Sequence, residues 1–249
     1  MRERRFFVPD LRGDREVEIH GEEAHHLFHV LRLGLGDEIV VFDGEGRHFR
    51  AVIAGATANF AAAQRLEELP TSESPLEITL AVAVPKGDKM ALIVRMLTEL
   101  GISRVIPLMT ERTVFSSAAA AKDKVERWRR IALEACKQSG RSQTTKIEPP
   151  ISFAELSRLD FPVHRVLITL TGTPTLMPIS VPACIALIGP EGGWSNDEVE
   201  WATANGFQKL SLGPRTLRTE TAAVTVASVL QWELGDLKGG REEEGERRK

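Results

Sequence analysis

Two late stretches constrain this chain more than any other feature. The first runs Ile188-Gly189-Pro190-Glu191-Gly192-Gly193-Trp194-Ser195, the second Leu212-Gly213-Pro214-Arg215-Thr216-Leu217-Arg218-Thr219-Glu220-Thr221-Ala222. Each is an apolar run that ends in a glycine turn and opens into a helix. Such a strand–turn–helix corner brings backbone N–H groups and the positive end of a helix close to a ligand. Two corners on neighbouring strands would form a single pocket built mostly from main-chain groups.

The first corner can be read residue by residue. Ile185-Ala186-Leu187-Ile188 is short, apolar and turn-bounded, as a buried strand should be. Gly189, Gly192 and Gly193 permit backbone angles and close approaches that a Cβ would forbid. Ser195 with Glu198 has the pattern of a capping box, and Asp197, Glu198 and Glu200 put negative charge at the start of the helix. A helix start lined with carboxylates is a poor phosphate cradle. A tight turn entering a surface helix accounts for Gly192, Gly193 and Ser195. It does not account for Glu191, a carboxylate that the turn does not need.

Composition narrows the function classes. The chain is 42% hydrophobic and 27% charged, ordinary for a globular protein, and its formal net charge of −3 excludes a generally basic nucleic-acid coat. An RNA substrate would have to meet local basic patches. Cys136 and Cys184 sit in apolar contexts without metal-ligand spacing and read as buried reduced thiols. The nearest thing to a dinucleotide turn, Gly44-Glu45-Gly46, lacks the third glycine and the following helix, and no Walker-type phosphate loop occurs. The opening Met1-Arg2-Glu3-Arg4-Arg5 is followed only by Phe6-Phe7-Val8 before Pro9, and no run has the length of a membrane span. The expectation is a cytoplasmic protein.

Along the chain, Arg2, Arg4, Arg5, Arg12 and Arg15 crowd the first segment, either as a solvated terminus or as a phosphate-contacting arm. Ala24, Leu27, Phe28 and Leu31 have the spacing of a short amphipathic helix, and Glu38–Phe42 and His48–Ile53 flank a hairpin turn at Asp43-Gly44-Glu45-Gly46. With more strand up to Pro70, this unit fits a small barrel of about five or six strands. His25 and His29 are spaced i, i+4 on the helix, but there is no nearby cysteine, and no metal is expected. They read as partly buried helix residues or RNA contacts.

Thr71-Ser72-Glu73-Ser74-Pro75 is a polar break and the expected boundary. After it strands and helices alternate, the α/β pattern. Glu77–Val84 and Arg104–Met109 read as strands, with a helix capped by Asp88 and running to Gly101 between them. Apolar residues almost encircle that helix, which implies burial, in part by another subunit. Ser116–Ala121 reads as a small-residue linker before a helix from about Lys122 to Gly140. One face of that helix carries Val125, Trp128, Ala132 and Ala135; Arg127, Arg130, Glu134, Lys137 and Arg141 form a charged stripe. Arg165–Thr169 and Cys184–Ile188 are strands on either side of a proline-rich loop. The Thr221–Leu234 helix stops at Gly235, and residues 238–249 read as a disordered tail.

Taken together these motifs resemble the ribosomal RNA small-subunit methyltransferase E family, the 16S rRNA uracil-N3 methyltransferases of the SPOUT class. The likeness covers nearly the whole chain. Besides the two corners it includes Arg5-Phe6-Phe7, His26-Leu27 through Val30-Leu31-Arg32, Gly36-Asp37 and Phe42-Asp43-Gly44 in the first part. In the middle it includes Lys86-Gly87-Asp88-Lys89-Met90, Thr98-Glu99-Leu100-Gly101, Glu111-Arg112 and Gln138-Ser139-Gly140-Arg141. Arg95-Met96 and Lys137-Gln138 depart from the family's usual residues. The resemblance implies an α/β fold with a trefoil-knotted SPOUT domain over residues 75–237 and a PUA-like β-barrel RNA-binding domain over 1–71. It also implies a homodimer, with 16S rRNA as partner, within the small ribosomal subunit. The cofactor implied is S-adenosylmethionine, cradled by Thr169, Leu170, Ile188, Gly189, Pro190, Glu191, Gly192, Gly193, Leu212, Gly213 and Leu217. Arg4, Arg5, Arg32, Lys86, Lys89, Arg112 and Arg141 are the candidate RNA contacts.

The chemistry that this resemblance implies needs a proton removed from uracil N3. A carboxylate base and a cation for the developing oxyanion suit that step. Glu191 and Glu220 are the candidate bases and Arg218 the candidate cation, although Arg218 and Glu220 could instead be an internal ion pair. Two other readings stay open: a SPOUT methyltransferase acting on a ribose 2′-hydroxyl or another base, and a non-catalytic RNA-binding module.

Overall fold

The computed structural model of this protein describes residues 3–238 apart from 12, 14, 58–59, 72, 114–117 and 173–180, and in the helix that begins at Ala118 it leaves the side chains of 118–123 undescribed. Two compact units are present: Met1–Glu73 with Leu133–Thr144, and Ser74–Ala132 with Thr145–Lys249.

In the first unit the strands are β1 (Arg5–Phe7), β2 (Glu16–His20), β3 (Glu38–Phe42), β4 (His48–Ala56) and β5 (Phe60–Glu68). They form one sheet in the order β1-β3-β4-β5-β2, antiparallel except for the parallel β1–β3 pair. Alternate residues point to one core: Val17 and Ile19, Ile39 and Val41, Ala51 and Ile53, Ala61 and Ala63 all join Phe6 and Leu27 there. The turn between β3 and β4 is set by Asp43, whose Oδ1 accepts from the N–H groups of Glu45 and Arg47 at 2.8 and 3.1 Å. The amphipathic segment is α1 (Gly21–His25) followed by a π-helical turn, His26–Val30. It ends on Arg32, which takes a φ of 55°.

Two cations read as surface contacts prove to be internal to this unit. Arg141 is 5% exposed, with its Nε on Glu73 Oε2 at 2.9 Å, and Glu73 Oε1 accepts from the N–H groups of Ser142 and Gln143 at 2.8 and 2.9 Å. Arg5 is 7% exposed and donates to the Arg141 carbonyl at 2.8 Å. Both are structural ion-pair or hydrogen-bond partners, which corrects their reading as phosphate contacts.

The second unit contains β6 (Glu77–Ala83), α2 (Lys89–Glu99), β7 (Arg104–Met109), the part of α3 (Ala118–Ser139) up to Ala132, whose remainder belongs to the first unit, β8 (Lys146–Ile147), β9 (Ile151–Ser152) and α4 (Phe153–Leu156). These are followed by β10 (His164–Thr169), β11 (Ala183–Ile188), α5 (Asn196–Ala204), β12 (Gln208–Ser211) and α6 (Thr219–Glu233). Its sheet is parallel throughout, in the order β12-β10-β11-β6-β7-β8, with β9 also pairing β7. Central strands buried on both faces explain the unbroken apolar runs. Ile78, Leu80, Val82, Cys184, Ala186 and Ile188 point to a core shared with α2, α6 and Trp128. Ala81, Ile106, Leu108, Leu167, Ile185 and Leu187 point to the other, with Leu156, Ala202 and Phe207.

The helices depart from expectation in two places. α3 starts at Ala118, inside the segment read as a linker; alanine has the highest helix propensity of any residue, and the small side chains extend the helix rather than ending it. Ser116 and Ser117 lie outside the described residues. Asp88 occupies the N-cap of α2 but makes no side-chain cap. Its carboxylate is hydrogen-bonded to the Arg127 guanidinium instead, and this bond holds it below the usual carboxylate range. Most of the proline-rich loop and all of the tail beyond Lys238 fall outside the described residues.

Candidate active site

The two corners follow β11 and β12, which are not neighbours: β10 lies between them. The sequence expectation of adjacent strands is corrected accordingly. The pocket is built at the carboxyl ends of three strands, where the chain's order across the sheet reverses, a common place for a ligand in a parallel sheet. It is a cleft of about 400 Å³, within the range of small-ligand sites.

Its walls come from each strand end in turn. β10 and the residues after it supply Ile168, Thr169, Leu170 and Thr171; the first corner supplies Ile188, Gly189, Gly192, Gly193 and Trp194. The second supplies Leu212, Gly213, Arg215 and Leu217, with Thr219 and Ala222 from the start of α6; Arg112, Val199 and Lys209 complete it. Of the cradle residues named from sequence, Pro190 and Glu191 are not in the wall. Pro190 is buried, and its carbonyl accepts the Gly193 N–H at 2.9 Å, which closes the turn.

Each local feature of the first corner has a mechanical reason. Gly193 takes a φ of 72°, in the left-handed region that disfavours any side chain. A Cβ on Gly189 would meet the Trp194 indole at 3.0 Å. That indole donates from Nε1 to the Ile168 carbonyl at 2.9 Å, joining the corner to β10. Ser195 and Glu198 form the expected capping box. The second corner is joined to the first by Thr219, whose hydroxyl donates to the Gly189 carbonyl at 3.2 Å. Trp194 stands inside the first stretch as an aromatic wall and Ala222 ends the second; Ile168, Thr171, Val199 and Lys209 carry no signal of their own in the sequence.

The charged groups are arranged around Lys89. Its ammonium lies 3.2 Å from Glu220 and 3.6 Å from Glu191, so the first turn of α2 is tied to both corners. The alternative of an Arg218–Glu220 ion pair is replaced by this Lys89 contact. Desolvation of the Glu220 carboxyl would raise its pKa. Its own backbone N–H, Lys89 and Arg218 outweigh that effect and hold it below the usual value. Glu220 Oε2 is buried without a hydrogen-bond partner. Arg218 is exposed at the N-cap of α6, and its side chain caps nothing. Among the candidate RNA contacts, Lys86 and Arg32 are exposed; Arg4 lies 3.8 Å from Asp37, and Arg112 donates to the Gly192 carbonyl at 2.9 Å.

This arrangement fits a nucleoside-sized ligand carrying apolar and hydrogen-bonding surface. Leu212 and Leu217 pack against the core on one side, peptide groups of three loops surround the cleft, and carboxylates stand beside it rather than across it.

Comparison with known proteins agrees with that geometry. Residues 72–231 match the family described as RNA methyltransferase domain, and residues 19–64 match that described as RNA methyltransferase PUA domain. The ribosomal RNA small subunit methyltransferase E of Synechocystis is 38% identical over 224 residues, covering 86% of this chain and 72% of that protein. The protein of the same name from Bacillus subtilis is 30% identical over 234 residues, covering 89% and 91%. The crystal structure of that enzyme from Neisseria gonorrhoeae, bound to S-adenosyl methionine, superimposes with a TM-score of 0.85 at 31% identity, covering 94% of this chain and 99% of that one. A Legionella pneumophila methyltransferase solved with the cofactor SAM gives 0.85 at 33% identity, covering 95% and 100%.

Proposed function

Since the chain belongs to the ribosomal RNA small subunit methyltransferase E family, we propose that it methylates N3 of a specific uridine in 16S rRNA, with S-adenosylmethionine as methyl donor. The observation that carries this reading is the cleft that Ile168–Thr171, the first corner (Ile188, Gly189 and Gly192–Trp194) and the second (Leu212, Gly213, Arg215 and Leu217) line together at the ends of β10, β11 and β12. Residues 75–237 form the SPOUT methyltransferase domain in this proposal, and residues 1–71 the PUA-like RNA-binding domain. A trefoil knot belongs to it as well, supported by the return of the chain from β11 past β10 to β12.

When bound, S-adenosylmethionine supplies an electrophilic methyl group on a sulfonium. The protein's part is to hold the two reactants in line and to manage one proton. Leu212 and Leu217 offer apolar faces to the adenine, while the turns at Gly189–Gly193 and Leu212–Gly213 and the end of β10 offer N–H and C=O partners. Uracil N3 becomes a good nucleophile only as its proton leaves. Glu220 is the better of the two candidate acceptors, because its Oε2 is buried with an unused lone pair, whereas Glu191 is exposed. Its low pKa keeps it ionised and ready to accept, at the expense of base strength. Arg218 then stabilises the negative charge that grows on the uracil oxygens. Of the candidate RNA contacts, exposed Arg32 and Lys86 are the ones best suited to phosphates.

The proposal includes a cytoplasmic homodimer. Leu92 on α2 is 39% exposed and Trp232 on α6 is 53% exposed, on the two helices whose apolar residues exceed what one chain covers. The deciding experiment reacts the purified protein and S-adenosylmethionine with small-subunit rRNA, free and in assembled subunits, and locates the methylated atom by mass spectrometry. Methyl on a ribose oxygen, or on no nucleotide at all, would overturn the reading.

A further inference from the structure

Glu198 does more than its capping box requires. The N3 carboxylate of such a box closes back on the N-cap backbone and can leave its other oxygen to water. Here the residue is only 6% exposed and both oxygens are engaged. Oε2 accepts the Ser195 N–H at 2.9 Å, and Oε1 accepts the Glu111 N–H at 3.0 Å. Glu111 belongs to the turn after β7, a part of the chain remote in sequence from α5.

That turn carries Arg112 onto the first corner. It is closed internally by Thr110 and Thr113, with hydroxyls 2.7 Å apart and the Thr113 N–H on the Thr110 carbonyl at 3.1 Å. Arg112 then lies along Gly192. Its Nη1 donates to the Gly192 carbonyl at 2.9 Å, and its Cβ is 3.3 Å from where a Cβ of residue 192 would stand. Arg112 is also part of the cleft wall.

We infer that Glu198 is a positioning residue for methyl-donor binding: its second carboxylate oxygen fixes the Thr110–Thr113 turn, and the turn holds Arg112 against Gly192 as one wall of the cleft. This rests on the cleft being the S-adenosylmethionine site. The residue type follows from the donors it meets. Two backbone N–H groups converge on one side chain, so both of its terminal atoms must be acceptors. A carboxylate meets that condition, whereas an amide would turn an NH₂ toward one of the donors.

Glu198→Gln is therefore not a conservative change. Calorimetry should show its affinity for S-adenosylmethionine falling about tenfold, with KM for the donor rising in step and kcat held within about twofold, the pattern of lost uniform binding. Ser195→Ala, which removes only the hydroxyl half of the cap, should lower the unfolding midpoint and leave donor affinity in place. Adding Glu198→Gln to Arg112→Ala should produce no further loss, because both act through one contact. Glu198→Asp keeps the charge but is too short to serve both loops; it replaces the Gln variant if that variant does not fold. Donor affinity equal to the parent's in Glu198→Gln, in Glu198→Asp or in Arg112→Ala, or losses that multiply in the double variant, would reduce Glu198 to a helix cap. A parent protein that binds no donor at all would instead refute the cofactor site itself.

Discussion

Replacing Gly189 by alanine tests the geometry of the first corner directly. Gly189 is not in the left-handed region, so the backbone itself tolerates a side chain, and the effect comes from what the new methyl meets. It would stand 3.0 Å from Cε2 and Nε1 of Trp194 and 3.3 Å from Cδ2, all on one rigid ring. The ring must retreat as a body, and overpacking of this kind costs about 1–3 kcal/mol. As it moves by a few tenths of an ångström, its 2.9 Å hydrogen bond to the Ile168 carbonyl is stretched and weakened. That adds about 1 kcal/mol, for a total of about 2–4 kcal/mol. For a chain of this length the corresponding fall in the unfolding midpoint is roughly 4–16 °C. Because Gly189, Ile168 and Trp194 all line the cleft, affinity for S-adenosylmethionine should fall too. Scanning calorimetry and titration calorimetry measure the two effects. Trp194→Phe supplies the control: a smaller ring without the N–H should relieve the clash, so the double variant should be less damaged than the sum of the singles by at least about 1 kcal/mol. An unaltered midpoint and affinity in Gly189→Ala, or strict additivity with Trp194→Phe, would refute the reasoning.

Further predictions concern the charged groups and the thiols. Arg218→Ala should abolish turnover and leave donor affinity largely intact; loss of binding instead, by calorimetry, would make the residue structural. Glu220 has a depressed folded pKa, so its contribution to stability is present above its ordinary value of 4.5 and is lost as pH falls through the lower folded value. Lys89→Met removes one cause of the depression, and the acid-unfolding midpoint should therefore move to higher pH. Arg141→Ala removes the ion-pair partner of the largely buried Glu73 carboxylate, which keeps the Ser142 and Gln143 N–H groups, and unfolding in urea should show a loss of about 3 kcal/mol in the first unit, the low end for a broken buried pair. Burial pushes the Cys184 thiol up to about 12, so an alkylating reagent near neutral pH should leave it unmodified until the sheet unfolds.

What could be read from the sequence was what neighbouring residues decide. The turn glycines, the Ser195–Glu198 box, the hairpin at Asp43–Gly46 and the unbroken apolar strands all follow from local sterics and hydrogen bonding, and the structure contains each of them. What could not be read was decided by remote partners. β10 stands between the two corners because strand order is a property of the whole sheet. Arg5 and Arg141 looked like surface charges because the groups that satisfy Arg141, Glu73 above all, lie elsewhere in the chain. Asp88 looked like a cap because its actual partner, Arg127, is supplied by α3. Nothing beside Lys89 in the sequence announces its carboxylate partners; only the fold brings Glu191 and Glu220 to it.

The strand order β12-β10-β11 has a consequence for when the cleft can exist. Its floor is translated first, one side next and the other side last, and the final side reaches its place only by going past the floor. A nascent chain still missing β12 has a nearly complete sheet yet nothing with which to enclose a nucleoside. A chain that stops before Leu212 therefore lacks one wall of the cleft, and that wall arrives only with the second corner.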